Sequence, residues 1–250
     1  MKRMMLIVFF ISATIIVTGC SNVKGIFDRT SQVVKEIEDK GGIRVILEAQ
    51  RKNGEVPYEN QLELVKKILK YRIESMGRMK QLININEQDC IVIEFVSNDN
   101  LSISKLQPIL DQVTKKGFLT TQEIDQNKID GKGMYLPTDK VLFDGMDIKD
   151  VSVYSEKDNQ CNIMIELNDK AAKTFEELTE KLTGKPVGIF IDDQLIAAPV
   201  IQSKITGGVL VLSGIGSKED ALDLSIILKS GPLPFDLDIK SIEMVNPKKK

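Results

Sequence analysis

The sequence predicts an α+β protein that follows an N-terminal export leader. Short apolar runs rich in Val and Ile, bounded by glycines, alternate with segments whose apolar residues recur every three or four positions. The first pattern is typical of strands and the second of amphipathic helices. With 42% hydrophobic and 28% charged residues, the 250-residue chain has a globular composition and is long enough for two modest domains.

The first twenty residues predict where the chain resides. Two basic residues precede an apolar run at 4–17, which is too short to cross a bilayer as a helix and is followed closely by Gly19 and Cys20. A cysteine directly after a small residue resembles the lipobox of bacterial lipoproteins. We therefore expect residues 1–19 to be a signal peptide and residues 20–40 to be a tether whose Cys20 carries a diacylglycerol. The alternative is a poor transmembrane anchor with an incidental cysteine.

The composition excludes several classes of function. The chain contains no histidine, which removes Ser-His-Asp and Cys-His catalysis and histidine zinc sites. Its formal net charge of −2 gives no general attraction to nucleic acid. Cys90 and Cys161 each begin an apolar run. We expect buried free thiols there, although an oxidising compartment would also permit a disulfide.

The first half of the chain has the element order of one compact unit. A polar tether, helical over 28–39, leads into it. The predicted elements are a strand at 43–49, a helix at 62–76, strands at 82–85 and 91–96, a helix at 104–115 and a strand at 117–121. The order β-α-β-β-α-β is that of a ferredoxin-like unit.

A soft segment at 125–139, which contains glycines and a proline, predicts a boundary before a second α+β unit. The predicted elements there are strands at 151–154 and 163–167, a helix capped by Asp169 and ended by Gly184, a hairpin at 187–198, a strand at 209–212, a helix at 217–228 and a final strand at 235–239. Residues 231–234, Gly-Pro-Leu-Pro, force an extended exit before the last strand.

The residues predict no strong catalytic, metal or cofactor site. Glu48, Glu94 and Glu166 interrupt apolar strands, where they either form an acid–base pair or lie on a solvated face. Gly214-Ile215-Gly216 precedes a helix as a phosphate loop would, but Glu219 occupies the third glycine position and its charge repels phosphate. We therefore expect a protein that is not an enzyme and has no cofactor.

Four stretches together resemble one family, SecD, a subunit of the preprotein translocase. They are Asp-Lys-Gly-Gly before a strand ending Leu-Glu-Ala (39–49), Ile-Leu-Lys-Tyr-Arg-Ile-Glu-Ser-Met-Gly (68–77), the hairpin Gly-Ile-Phe-Ile-Asp-Asp-Gln-Leu-Ile-Ala-Ala-Pro (188–199), and a set of Ile-Thr-Gly-Gly, Glu-Asp-Ala and Leu-Lys-Ser-Gly-Pro-Leu-Pro (205–234). Each alone is weak, but four in the right order are specific. The resemblance extends from about residue 39 to 245.

The resemblance implies the first extracytoplasmic domain of that family, a ferredoxin-like base with an inserted α+β head. The base corresponds to residues 41–127 and 232–245, and the head to residues 138–231. In the family this domain holds emerging polypeptide while the head swings against the base. The hinge and polypeptide-binding residues implied here are Leu136, Pro137, Ser230, Gly231, Pro232 and Pro234.

The sequence also departs from the family pattern. Asp193 stands where glycine is usual, and Pro232 replaces an alanine. The family's membrane-spanning segments have no counterpart here, so we do not expect proton-driven translocation by this chain alone.

The function expected is a lipid-anchored, non-enzymatic module on the extracytoplasmic face of the cell membrane. It would bind secreted polypeptides in support of export and work with Sec translocase components, without nucleic acid. The alternative is a structural or regulatory envelope lipoprotein that kept the fold and lost transport.

Overall fold

The computed structural model of the chain describes residues 21–50, 59–77, 79–98, 101–129, 131, 135–155 and 161–248. The helices in these ranges are α1 (Ser21–Lys40), α2 (Glu59–Gly77), α3 (Ile103–Val113), α4 (Asp169–Lys181) and α5 (Lys218–Ser230). The strands are β1 (Gly42–Ala49), β2 (Gln81–Ile85), β3 (Ile91–Val96), β4 (Leu119–Ile129), β5 (Tyr135–Asp144), β6 (Ile148–Ser155), β7 (Cys161–Leu167), β8 (Val187–Ile191), β9 (Gln194–Ala197), β10 (Val209–Leu212) and β11 (Leu237–Val245). This mixed content confirms the predicted α+β class.

Sheet 1 contains four antiparallel strands in the order β11-β1-β3-β2. Strand β1 is central, and Ile43, Val45 and Leu47 on one of its faces are almost fully buried. They share one hydrophobic cluster with the apolar faces of α2 and α3. The two helices therefore cover one face of sheet 1, as the apolar spacing of both segments requires.

Strand β4 corrects the expected composition of the first unit. The strand predicted at 117–121 does not pair with β1, β2 or β3, because β4 pairs with β5 on one side and β8 on the other. The fourth strand of sheet 1 is β11, from the end of the chain, which pairs with β1 on the side away from β3. Gly117, with φ of 72°, turns the chain away from sheet 1 just before β4 begins.

Sheet 2, in the order β5-β4-β8-β9, and sheet 3, in the order β10-β7-β6, contain the other described strands. A second hydrophobic cluster contains residues from both of these sheets and from α4 and α5. Phe143 of β5 and Phe175 of α4 meet edge to face in this cluster, with ring centroids 5.3 Å apart. The described residues thus form two cores, one beneath sheet 1 and one between sheets 2 and 3.

Helix caps in the second half are close to the sequence prediction. Ser217 and Asp220 form the predicted capping box at the start of α5. The cap of α4 is Asn168, whose side chain accepts from the Ala171 amide, and not Asp169 as expected. Asp169 instead occupies the first helical turn, where its charge favours the helix dipole.

The predicted soft segment is mostly strand. β4 continues to Ile129 and β5 begins at Tyr135, so residues 125–139 lie largely within a long β4–β5 hairpin. Polar residues at 125–128 made this stretch look like a loop, but they lie on a strand of sheet 2.

At the N-terminal end, α1 extends over residues 21–40, beyond both ends of the helix predicted at 28–39. Ile37 of this helix is buried, and α1 packs beside β2 and β3. Residues 1–20, which include Cys20, lie outside the described ranges. Among the described helices, none combines the length and apolar character that crossing a membrane would require.

Candidate functional site

An apolar groove of about 380 Å³ lies between sheet 2, sheet 3 and the segment that follows β9. The residues that line it are Thr121, Phe143, Phe175, Val187, Ile189, Pro199, Val200, Ile201, Gln202, Ser203, Ile205, Val209, Leu210 and Val211. Ligand pockets in proteins typically enclose roughly 300–1,000 Å³. The groove is therefore large enough to receive one or two apolar side chains of a bound molecule.

The rim of the groove is apolar and exposed. Val200, Val209 and Val211 expose 46%, 42% and 45% of their surface, respectively. Val209 and Val211 belong to β10, which pairs with β7 and has no second strand beside it among the described residues. An edge strand presents unpaired N–H and C=O groups that can bind another extended chain. The groove thus combines apolar space with a free strand edge.

Backbone hydrogen bonds fix the wall formed by residues 199–205. The amide of Ile201 donates to the carbonyl of Lys185 at 3.0 Å. The amide of Ile205 donates to the Thr179 hydroxyl at 3.0 Å, and Thr179 is fully buried in α4. This irregular segment is therefore anchored to α4 and to the start of β8, which keeps the groove open between the two sheets.

One polar atom in the groove has no partner. Thr121 of β4 is only 2% exposed, and its hydroxyl forms no hydrogen bond with any described residue. Buried hydroxyls are normally hydrogen-bonded, because an unpaired one costs about 1–3 kcal/mol. The hydroxyl oxygen is itself fully buried, so it lies within the wall of the groove and is not exposed to the groove space.

A cluster of polar groups around Arg72 lies where the two cores meet. Arg72 of α2 is fully buried, and its guanidinium donates to groups at the C-terminal ends of α3 and α5. Its acceptors are the carbonyls of Val113 (2.9 Å), Lys115, Lys116 (3.4 Å) and Gly231 (2.9 Å) and the hydroxyl of Ser230 (2.8 Å). Burial lowers the pKa of Arg72 to about 10, and the nearby Asp192 carboxylate acts in the opposite direction. Arg72 therefore remains charged at neutral pH.

Asp192 links the β8–β9 hairpin to the segment between α3 and β4, next to the carbonyls that Arg72 contacts. Its carboxylate accepts from the amides of Gly117 (3.0 Å) and Phe118 (2.8 Å). Asp192 and Asp193 have φ of 48° and 65°, which a two-residue type I′ hairpin requires, so Asp193 adopts the conformation for which the family uses glycine. We call Arg72, residues 113–118, residues 230–233 and Asp192 together the junction.

A second cavity of about 360 Å³ adjoins the junction and is more polar than the groove. Asp192, Asp220 and Asp223 all line it. Burial raises the pKa of Asp223, and the charges of Glu219 and Asp220 add to that effect. Hydrogen bonds from the Ser217 hydroxyl and amide lower the pKa of Asp220. Lys115 and several aliphatic side chains, among them Ile191 and Leu224, line it as well, so the cavity is mixed in character.

The implied hinge residues near the end of α5 lie in the junction or next to it. Ser230 and Gly231 accept hydrogen bonds from Arg72. Pro232 and Pro234 follow in the extended segment that leads from α5 to β11. The Leu233 amide between them donates to the Lys116 carbonyl, in the segment that leads from α3 to β4. These two segments are thus linked by the Arg72 side chain and by a direct backbone hydrogen bond.

The other implied hinge pair lies elsewhere. Leu136 and Pro137 belong to β5, opposite Asp125 and Ile124 of β4, and no described hydrogen bond links them to the junction. Their hinge role, like that of the α5 residues, remains a prediction. Cys20 lies outside the described residues, so its lipidation also remains a prediction.

Sequence reasoning missed Arg72 and Thr121 as candidates, and it considered Asp192 only at the tip of the hairpin, as a turn former or a metal ligand. Arg72 had a visible signal, because it occurs between Leu69 and Ile73 on the buried face of a helix, where a charge requires partners. The role of Asp192 had none beyond the turn, since its partners are 74 and 75 positions away. The unpaired state of Thr121 follows only from packing.

The three strand glutamates do not form an acid–base pair. Glu48 pairs with Lys240, Glu94 with Arg44 and Glu166 with Lys149. Cys90 and Cys161 are both buried and free. Among the described residues, no group of three or more cysteine or carboxylate side chains is arranged to hold a metal ion.

Comparison with known proteins identifies the domain. A family model described as SecDF, P1 head subdomain, matches residues 119–235, which begin at β4 and end just before β11. The chain is 29% identical over 232 residues to the protein translocase subunit SecDF of Thermus thermophilus, which covers 83% of this chain and 31% of that protein. It is 30% identical over 207 residues to the protein translocase subunit SecD of Sebaldella termitidis, which covers 83% of this chain and 48% of that protein. This chain contains a SecD-family domain.

A solved structure extends the match to the fold. A SecDF chain, described as part of a membrane component that enhances protein export, superposes with a TM-score of 0.65 at 26% identity. The match covers 80% of this chain and 99% of that one. The SecD-type chain studied here spans half or less of the two curated relatives. Its homology makes it a domain related to protein translocation.

Proposed function

We propose that this SecD-type domain binds extended polypeptide segments without catalysis, in the apolar groove beside β10. The observation that carries the proposal is the free edge of β10 next to an apolar cavity. A polypeptide could extend the sheet along β10 and insert one or two apolar side chains into the groove. Backbone pairing is insensitive to sequence, which suits a partner that must accept many clients.

The groove is a better candidate than the cavity at the junction. Unfolded export substrates expose apolar side chains, and the groove is lined mainly by aliphatic and aromatic residues. The junction cavity is partly aliphatic, but three carboxylates and Lys115 also line it, and these charged groups favour hydration over apolar contacts. This proposal thus places binding in a groove within the region matched to the P1 head subdomain, and not at the hinge residues that the resemblance implies.

The same proposal includes the domain organisation. In sheet 1, α2 connects β1 to β2, and α3 follows β3, with β11 beside β1. This strand order supports the proposal of a ferredoxin-like base, whose strands run 4-1-3-2, with β4–α5 as the insertion. The pairing of β4 supports moving the first boundary from residue 127 back to the turn at 114–118.

Anchoring is the second part of the proposal. Lipid on Cys20 would hold the domain at the extracytoplasmic face of the membrane, where clients leave the Sec translocon. Cys20→Ser should shift the chain from the membrane fraction to the soluble fraction, whereas Cys90→Ser should not. Equal membrane retention of both variants would contradict lipid anchoring and leave polypeptide binding unaffected.

Binding can be measured with a defined unfolded protein. The probe is fluorescently labelled, reduced and carboxymethylated lactalbumin, and the readout is fluorescence anisotropy. Val211→Glu places a charge at the groove rim and should weaken binding at least fivefold. Val141→Glu is the matched control, because Val141 of β5 is equally exposed (47%) but does not line the groove. Equal affinity of both variants would refute the groove and favour a structural or regulatory role.

A further inference from the structure

Two covalent connections join the two cores of the molecule. The first, residues 114–118, leads from α3 into β4, and the second, residues 231–236, leads from α5 into β11. The groove belongs to sheets 2 and 3, whereas the N-terminal helix α1 packs against sheet 1. The orientation of the groove relative to the N-terminal end of the chain is therefore set where these connections pass each other.

Arg72 contacts both connections with one rigid group. Its guanidinium donates to the carbonyls of Lys115 and Lys116 on the first connection and of Gly231 on the second. It also donates to the last residue of each preceding helix, the Val113 carbonyl of α3 and the Ser230 hydroxyl of α5. A guanidinium presents its five N–H groups in a fixed planar arrangement, so its acceptors must keep a fixed relative position. One side chain from α2 thus determines how the two connections lie with respect to each other.

The charge of Arg72 is balanced by helix ends. No described carboxylate forms a hydrogen bond with the guanidinium, although the side chain is fully buried and the Asp192 charge lies nearby. The C-terminal ends of α3 and α5 point their unpaired carbonyls towards it, and each helix end carries about half a negative charge. One of these helices belongs to each side of the junction, so the cation attracts both sides at once.

Asp192 adds a link from the hairpin of sheet 2. Its carboxylate holds the amides of Gly117 and Phe118, directly before β4. The space is tight, since a Cβ at Gly117 would lie 2.3 Å from Ile227 of α5 and 3.1 Å from the Arg72 guanidinium. The first connection is thus held from α2, from α5 and from the hairpin.

We propose that Arg72 is a positioning residue that fixes the orientation of the groove-bearing half relative to sheet 1 by joining the ends of α3 and α5. In the resting protein the connection at Ser230–Pro234 is then a closed joint instead of a free hinge. Reorientation of the two halves requires the guanidinium to release the carbonyls of one connection. The inference does not depend on polypeptide binding in the groove.

The test measures the distance between the two halves directly. Spin labels are attached to ketone-bearing residues that replace Lys105 of α3 and Lys173 of α4, both exposed. Double electron–electron resonance on the full chain in detergent gives the distance distribution. The variants are Arg72→Met, which removes the donors, Arg72→Lys, which keeps the charge without the planar fork, and Asp192→Asn, which removes the hairpin charge.

The matched control is Arg44→Met, because Arg44 pairs with Glu94 inside sheet 1 and touches neither connection. Hydrogen exchange of β3 and β7 reports in parallel whether each core stays folded.

The wild type and the control should give one narrow distance. Arg72→Met should broaden the distribution at least twofold while β3 and β7 remain protected, and Arg72→Lys should give an intermediate width. A purely structural role would reduce protection without changing the distance within the folded fraction. An unchanged narrow distribution in folded Arg72→Met would overturn the proposal. If Arg72→Met does not fold, an unchanged narrow distance distribution in both Arg72→Lys and Asp192→Asn would overturn the proposal.

Discussion

At the scale of single residues, the Thr121 hydroxyl in the wall of the proposed binding groove is unpaired. The side chain is almost completely buried, yet its oxygen has no partner in the described chain. The protein would gain stability from an apolar residue of the same shape.

Thr121→Val tests that interpretation. The substitution removes the unpaired hydroxyl and keeps the shape, so it should raise the free energy of unfolding by about 1 kcal/mol. Urea unfolding measures the effect. A variant that is less stable than the wild type would show that the hydroxyl is satisfied in the free protein.

Asp223 gives a pH-dependent prediction. Burial and neighbouring carboxylates raise its pKa above the ordinary 3.8, so the folded state binds a proton more readily than the unfolded state. This group therefore costs stability above its folded pKa, and the cost vanishes when pH falls below about 3.8.

Asp223→Asn should raise the Tm at pH 7 by about 1 °C, because the partly exposed charge is well screened. The gain should disappear at pH 3. Differential scanning calorimetry at both values checks the sign. Asp238→Asn, at an exposed position on β11, is the control and should lack this pattern of gain and loss. A constant gain at both pH values would point to a cause other than ionisation.

At the scale of elements, Gly117 determines where the chain leaves sheet 1. Its φ is 72°, and any Cβ would meet Ile227 at 2.3 Å. Gly184, at the end of α4, has a φ of 81° but open space around the corresponding position. The two glycines share a backbone conformation and differ in their surroundings.

Gly117→Ala should destabilise the protein by about 3 kcal/mol, because both backbone strain and the clash oppose it. Gly184→Ala should cost only about 1 kcal/mol, from strain alone. Chemical denaturation gives both values. Equal losses in the two variants would mean that the junction relaxes easily around Gly117, which would weaken the case for a closed joint.

Most elements follow from local sequence patterns, but their partners do not. β10 occurs at the predicted residues, because two glycines and a polar exit bound a short Val-Leu run. The α5 capping box was likewise visible from the spacing of Ser217 and Asp220. β4 was predicted too short and with the wrong neighbours, since its polar second half resembles a loop and strand pairing is a property of the whole fold.

The candidate site was less predictable than the fold. The groove is formed by residues from β4, β5, α4, β8, β10 and the 199–205 segment, and no local pattern brings such distant positions together. The resemblance to SecD directed attention to prolines and glycines near residues 136 and 230. Of these, the residues at the end of α5 lie in the junction, where Arg72 holds them, whereas those in β5 lie in a paired strand.

At the scale of the whole molecule, two cores share one junction, and the groove lies on the half that matches the P1 head subdomain. We propose that this half binds polypeptide, that the junction sets its orientation, and that the residues before α1 attach the chain to the membrane. Each assignment can fail alone, because the Cys20, Arg72 and groove variants are measured by different readouts.

The most direct test of the central claim is site-specific photocrosslinking in cells that are exporting protein. A benzoylphenylalanine that replaces Val211 should, on irradiation, form adducts with exported polypeptides. The same probe at Val141, equally exposed on β5, is the comparison. The account predicts several-fold more adducts at position 211 than at position 141. Equal or fewer adducts at position 211 would contradict it.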